Sequence, residues 1–369
     1  MRLILAAALA LAASVAEAQV KIGLSAPLTG PDAAFGQGMR AAAEQAVADL
    51  NRGGGANGQR LVLVVADDAG EGKQSVAVAR KFAAERVTLV VGPLGSAAAA
   101  LAFPVYEEAG IVAVTPGATW APLTGRGLWN VFRTCGSDAE QGTIAGRHLA
   151  DRYRDRRIAL VHDKSAFGRG LADGVARVLK AAGTPEIAFE PLDRGERDYA
   201  ALAAKLRQAR IEIVYFGGFA PEAGLLVRAM REAGLDAPLV GSDGLLDKEF
   251  PRIAGSGAEG TAMTLAPEPR RLPEPKGAPA RAPRPPEAEA FAAQTYAAVE
   301  VLARGVAGAR SAEGRKVAAF LRGGAPVATA IGEVAYDANG DMLRSGYALH
   351  VWKRTPDGRI DYAGNLLPP

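Results

Sequence analysis

The chain has 369 residues and one cysteine, Cys135. An intrachain disulfide is therefore excluded, so no such bridge helps hold the fold. Cys135 reads as a buried small hydrophobe. Aromatic residues are scarce, at 6%. The formal net charge is only +3, and basic and acidic residues are interleaved. With no basic stripe carrying aromatics, nucleic acid is not an expected partner. Enzyme signatures are missing: there is no G-x-S-x-G, no H-E-x-x-H, no Walker A loop and no C-x-x-C. His148, His162 and His350 lack metal-ligand spacing. No catalytic residue, metal or cofactor is expected. Beyond the first residues, no apolar run approaches the roughly 20 residues that a bilayer crossing needs.

What is present begins at the start. Arg2 precedes an apolar run over 3–15, and Ala16-Glu17-Ala18 supplies the small-x-small pattern that a signal peptidase reads. A cleaved secretory signal over 1–18 is expected, with no Cys after the cut to carry a lipid. The remainder is long enough for two domains of about 100–200 residues each.

Short β-rich runs alternate with Ala-rich amphipathic stretches. Strands are predicted at 21–26, 61–66, 88–92, 111–115, 158–162, 186–190, 212–216, 239–241 and 261–265. Helices are predicted at 37–51, 72–85, 96–109, 138–153, 169–182, 199–209, 221–233, 286–307 and 312–322. This alternation, with several strands apolar at consecutive positions, predicts an α/β fold of parallel sheets covered on both faces. An irregular piece at 128–137 interrupts the pattern before it restarts, which suggests two doubly wound lobes. Late strand-like segments at 332–336 and 347–352 are expected to return the chain to each lobe in turn. The segment 267–286 is dense in proline, which fixes φ and lacks a donor, so an exposed or disordered insertion is expected.

Two short patterns invite chemistry. Gly36-Gln37-Gly38-Met39-Arg40-Ala41 has the form G-x-G-x-x-A, with Asp67 and Asp68 ending the next strand. A dinucleotide site needs a tight strand-to-helix turn, and the long loop 27–35 stands in its place. The plainer reading is a helix start that needs close backbone approach. The second pattern is stronger. Gly92-Pro93-Leu94-Gly95-Ser96 and Thr115-Pro116-Gly117-Ala118-Thr119 both follow strands, where open α/β sheets bind ligands. Ser96 reads as an N-cap, and the free amides of a first helical turn attract anions. Together the two segments suit a carboxylate. Phe167, Phe219 and Asp243 end strands of the second lobe, and Asp243 suits an ammonium. Taken singly, each of these residues also reads as a cap, a core aromatic or a turn acid.

At these residues the chain resembles the periplasmic branched-chain amino-acid (Leu/Ile/Val) binding proteins, the type I solute-binding components of ABC importers. The resemblance runs through AEQAVADLN at 43–51, DDAGEGKQ at 67–74, VTPGAT at 114–119, RIALVHDK at 157–164, FGRGLA at 167–172, VYFGGFAPEAG at 214–224, AGSGAEG at 254–260 and TYAA at 295–298. It implies two lobes, 19–137 plus 267–345 and 138–266 plus 346–369, joined by a three-crossing hinge near 137, 266 and 346, with an amino acid captured in the cleft. By resemblance, Ser96 and the Thr119 amide take the ligand's carboxylate. The Thr119 hydroxyl, the Gly117 carbonyl and Asp243 take its ammonium. Phe35, Leu94, Gly95, Phe167, Phe219 and Tyr296 line the side-chain pocket, and Trp120, next to Thr119 in sequence, is a further candidate or a packed surface residue.

The resemblance further implies a periplasmic protein that meets an importer permease. A monomer is expected. The family often has Tyr where Phe35, Phe167 and Phe219 stand, so a more apolar pocket is expected; it often has Glu where the shorter Asp243 stands, so a shifted ligand or a water between the charges is expected. Gly70 and Gly95 stand where members carry a disulfide pair. An amide, a urea-like molecule or an aromatic acid on the same scaffold is the alternative ligand. A nucleotide-dependent α/β enzyme is a further one.

Overall fold

Val20–Ala26 is buried at every position but Lys21, as a strand covered on both faces must be. The computed structural model describes residues 19–267 and 286–367. The expected signal at 1–18 and nearly all of the proline-rich insertion lie outside the described residues. The strands follow in chain order as β1 (Val20–Ala26), β2 (Leu61–Asp67), β3 (Leu89–Val91), β4 (Val112–Thr115), β5 (Val131–Arg133), β6 (Ile158–His162), β7 (Ala188–Pro191), β8 (Ile213–Gly217), β9 (Leu239–Gly241), β10 (Ala262–Leu265), β11 (Val327–Thr329), β12 (Gly332–Val334) and β13 (Ala348–Val351). Among the described residues, packing divides the chain into two units. One holds 19–117, 127–134 and 286–340; the other holds 118–126, 135–267 and 341–367.

The first unit has a parallel sheet of order β2-β1-β3-β4-β5. Helices Ala33–Arg52, Gly72–Ala84 and Ser96–Glu108 connect its strands. Helix Ala292–Ala309 packs on Ala33–Arg52, whose buried Gly36, Gly38, Ala42, Ala43 and Ala46 keep that face shallow. A methyl group on Gly36 would overlap the Pro27 carbonyl, and one on Gly38 the Ala288 carbonyl. These glycines therefore serve close backbone approach within a helix that already starts at Ala33, not a nucleotide phosphate. Asp67 and Asp68 brace the loop after β1. Asp67 Oδ1 accepts from the Leu28 and Ala69 amides, each at 2.8 Å, and Asp68 accepts from Ser25 Oγ at 2.6 Å and the Gly70 amide at 2.9 Å.

The second unit has a sheet of order β13-β10-β9-β8-β6-β7, parallel except for β13, which runs antiparallel to β10. Alternate residues feed its two cores. Leu160, Ile213 and Tyr215 pack with Leu171 and Val175, while Val161, Val214 and Phe216 pack with Leu226, Met230, Phe250 and Trp352. In both sheets the strand order reverses at one point, between β1 and β3 in the first and between β6 and β8 in the second. The loops at the carboxyl ends of the strands flanking such a point form the usual ligand-binding place of a doubly wound sheet.

The structure departs from the sequence reading in several places. β5 lies inside the stretch read as irregular, because only the four-residue helix Pro122–Gly125 separates it from β4, so the strand–helix alternation lapses there. The 332–336 segment forms a hairpin with β11 and does not join a main sheet, whereas 347–352 does return, as β13. The helix expected over 286–307 is two, Pro286–Glu289 and Ala292–Ala309, with Phe291 capping the second. The chain also changes unit at 117–118, 126–127, 134–135 and 340–341, where crossings near 137 and 346 were expected. Residues 118–126 group with the second unit through specific contacts. The Thr119 carbonyl accepts from the Asp138 amide at 2.8 Å, Thr124 Oγ1 donates to Asp341 Oδ1 at 2.9 Å, and Trp120 fills the space beside the bare Gly170.

Candidate functional site

In the first unit the loops after β1, β3 and β4 carry the predicted residues. Gly92 has φ +102°, and a side chain there would overlap the Ser25 carbonyl, so only glycine allows this turn. Its amide donates to the Val114 carbonyl at 2.9 Å, and Thr115 Oγ1 donates to the Pro93 carbonyl at 2.6 Å. Two adjacent loops are thereby tied together. Extended Gly95, not Ser96, is the N-cap of helix Ser96–Glu108; Ser96 is its first helical residue. This corrects the expected cap, but leaves Ser96 and the first-turn amides at the positive end of the helix dipole. A methyl group on Gly95 would meet nothing within 4 Å, so this helix end is open.

Apolar surface lies beside it. Phe35 meets Phe291 edge-on, with centroids 5.6 Å apart and planes at 70°. A methyl group on Gly117 would stand 2.5 Å from Leu94 Cδ1 and 3.1 Å from Phe291 Cε1. Phe35, Leu94, Gly117 and Phe291 therefore form one patch. Phe291 was missed by the sequence reading, which chose Tyr296 on the same helix. Tyr296 is elsewhere: its hydroxyl donates to Asp49 Oδ2 at 2.9 Å. Asp49 lies fourteen residues from Phe35 on helix Ala33–Arg52, or about 21 Å at 1.5 Å per residue. Tyr296 is a helix-packing residue.

In the second unit Asp243 follows β9 and opens a short 3₁₀ turn, Asp243–Leu245. Its Oδ2 accepts from the Tyr347 hydroxyl at 3.0 Å. Its Oδ1 is buried and has no hydrogen-bond partner. Gln141 Oε1 accepts from Thr264 Oγ1 at 2.6 Å and lies 3.4 Å from the Asp243 amide, while Gln141 Nε2 donates to Asp138 Oδ1 at 3.2 Å. Burial pushes the Asp243 carboxyl up to about 6, although the nearby Gln141 side chain and the Tyr347 hydroxyl pull the other way. Burial, followed by the nearby charge of Asp243, also holds the Tyr347 hydroxyl well above its ordinary range, so it remains a donor.

The aromatics adjoin this acid. Phe167 and Phe219 have centroids 5.0 Å apart with planes tilted by 31°. A methyl group on Gly244, next to Asp243, would stand 2.9 Å from Phe167 Cε1. Thr119 is buried and groups by packing with Asp243, not with Ser96 and Gly117. Gln141 and Tyr347 escaped the sequence reading, because their partner Asp243 is about one hundred residues away from each and no spacing rule connects them. Among the described residues, no group of three His, Cys, Asp or Glu side chains is placed to hold a metal ion. Cys135 is buried and forms no disulfide.

Each unit thus presents a small apolar patch next to one polar function: a helix N-terminus in the first, a half-satisfied buried carboxyl in the second. The sequence profile of the periplasmic binding proteins matches residues 19–358. The chain is similar to Leu/Ile/Val-binding protein homolog 1 of Brucella melitensis, at 40% identity over 363 residues, 97% of this chain and 96% of that one. It is also similar to the Leu/Ile/Val-binding protein BraC3 of Rhizobium johnstonii, at 42% identity over 343 residues, 92% of this chain and 94% of that one. The crystal structure of the leucine-binding protein LivK of Thermotoga maritima shares the fold, with a TM-score of 0.79 over 95% of this chain and 99% of that one, at 23% identity.

Proposed function

The chain belongs to the periplasmic binding protein family, and from that premise we propose that it is a periplasmic receptor for an aliphatic L-amino acid, delivering it to the permease of an ABC importer. The family consists of binding proteins, and the ligand leaves chemically unchanged. Asp243 Oδ1 carries the reading: a buried carboxylate oxygen without a partner accepts an ammonium donor with charge assistance. The names of the two relatives at 40% and 42% identity support the ligand class. The ligand's carboxylate goes to Ser96, the open first turn of its helix and the Thr119 amide. The Gly117 carbonyl and the Thr119 hydroxyl complete the ammonium's acceptors. Phe35, Leu94, Gly95, Phe291, Phe167 and Phe219 are the proposed contacts of the aliphatic side chain.

Recognition of both charges makes the pocket selective, because a ligand lacking one leaves a buried polar group unpaired. Protein unfolded, washed and refolded to strip any ligand should bind leucine, isoleucine or valine in calorimetry. Leucinamide and 4-methylpentanoate, which each lack one charge, should bind about 100-fold more weakly or worse. Equal affinity for 4-methylpentanoate would remove Asp243 as the ammonium acceptor. Mass spectrometry of small molecules released from freshly purified protein identifies the natural ligand.

A further inference from the structure

Arg194 lies in the loop that follows β7. Its guanidinium carbon stands 4.5 Å from the centroid of the Phe219 ring. Phe219 is therefore held by a cation as well as by its ring partner Phe167. Two buried acids face the guanidinium. Arg194 Nε is 3.8 Å from Asp163 Oδ2 and 4.0 Å from Glu222 Oε1. Asp163 Oδ2 and Glu222 Oε2 have no hydrogen-bond partner, so Arg194 provides compensating charge for both.

The remaining oxygens of these acids fix the frame. Asp163 Oδ1 accepts from the Ser165 amide at 3.0 Å and from Ser165 Oγ at 2.5 Å, just ahead of helix Ala166–Ala181, which carries Phe167. Glu222 Oε1 accepts from the Gly195 amide at 3.2 Å and so fastens the Arg194 loop to the helix that follows Phe219. Lys164 Nζ pairs with Asp193 at 2.6 Å, and the Tyr199 hydroxyl donates to the Asp193 carbonyl at 2.8 Å. The loop is braced on both sides of Arg194, while the side chain itself is half exposed.

We propose that Arg194 is a positioning residue that sets which ligand side chains are accepted, by pinning the Phe219 ring beside Phe167. The proposal rests on the assignment of Phe219 to the side-chain pocket. A planar guanidinium stacks on a ring as an ammonium does not, and the two acids aim it there. With the ring pinned, the apolar surface has a fixed depth that suits branched aliphatic groups. With the ring released, it swings aside and a bulkier aromatic side chain fits.

The test compares wild type, Arg194→Ala, Arg194→Lys, Phe219→Leu and the Arg194→Ala/Phe219→Leu double variant, with leucine and phenylalanine titrated into each by calorimetry. Arg194→Ala should lower the leucine-to-phenylalanine preference about tenfold, the scale of one lost cation–π contact. Arg194→Lys should fall between, and in the Phe219→Leu background the effect should vanish. An equal loss for both ligands, or an unchanged effect without the ring, overturns the proposal. A second measurement needs no ligand: 4-fluorophenylalanine at position 219, followed by fluorine NMR. Arg194→Ala should shift and sharpen that signal; an unchanged signal overturns the pinning. Wild-type protein that binds no amino acid would refute the receptor reading, and the fluorine signal would still decide whether Arg194 holds the ring.

Discussion

Tyr347 donates its hydroxyl to one oxygen of the Asp243 carboxyl and leaves the other oxygen, Oδ1, buried and unpartnered. A buried acid satisfied on one side is unfavourable for the empty protein and favourable for a cationic visitor. In the proposed receptor, stability is given up where binding is gained.

Asp243→Asn tests both halves of that statement. The amide still accepts from Tyr347 but carries no charge. Affinity for leucine should fall about 100-fold or more, as when one partner of a buried charge pair is removed. The ligand-free variant should melt above the parent at pH 8. Calorimetric titration and a thermal scan of stripped protein measure the two effects, and a lower melting temperature would contradict the burial argument.

The same carboxyl predicts a pH profile. Its folded value of about 6 lies above the unfolded aspartate value of about 3.9. Between those values the folded state holds more protons, so stability contributed by this group falls as pH rises from about 4 to about 6 and is level above. Binding runs the other way. An ammonium favours the carboxylate, so affinity should be constant above pH 6 and decline by up to about tenfold per unit below it. Titrations in buffers of different ionisation enthalpy should show proton release on binding at pH 5 and none at pH 8.

Phe291 and Tyr296 share a helix and should separate cleanly. Phe291→Ala removes the ring that meets Phe35 and adjoins Leu94 and Gly117, and should weaken leucine binding about tenfold. Tyr296→Phe loses one hydrogen bond to Asp49. It should cost about 1 kcal/mol of stability and leave affinity unchanged. A reversed pattern in calorimetry and urea unfolding would restore Tyr296 to the pocket.

Gly38→Ala probes the helix packing of the first unit. The added methyl group overlaps a backbone carbonyl, that of Ala288, which cannot rotate away as a side chain can. Overpacking of this kind costs about 1–3 kcal/mol. Urea unfolding should show the loss, and a stability equal to the parent's would mean that the short helix Pro286–Glu289 is not seated there.

Strand–helix alternation and the burial of both sheet faces depend on periods of two to four residues. The strands at 158–162 and 239–241 could therefore be read with their exact ends, and β5 could not, because only the four-residue helix Pro122–Gly125 separates it from β4 and the alternation lapses there. Ser96, Phe167, Phe219 and Asp243 were legible because the carboxyl ends of strands are where such sheets bind ligands, and strand ends can be read locally. Local order also argued against a nucleotide site at the G-x-G-x-x-A pattern, since no tight strand-to-helix turn precedes it.

Other features required the folded chain. Asp243 meets Tyr347 from 104 residues away, and Phe35 meets Phe291 across more than two hundred. Arg194 reaches Phe219 only because β7 and β8 flank β6, which places their following loops around the same edge of the sheet. Sequence alone determined the α/β alternation and the kind of residue at each strand end, because those follow from short-range periodicity and propensity. The partners of those residues, and hence which carboxyl oxygen stays unsatisfied, were decided by tertiary packing, because a hydrogen bond depends on distance in space and not on separation along the chain.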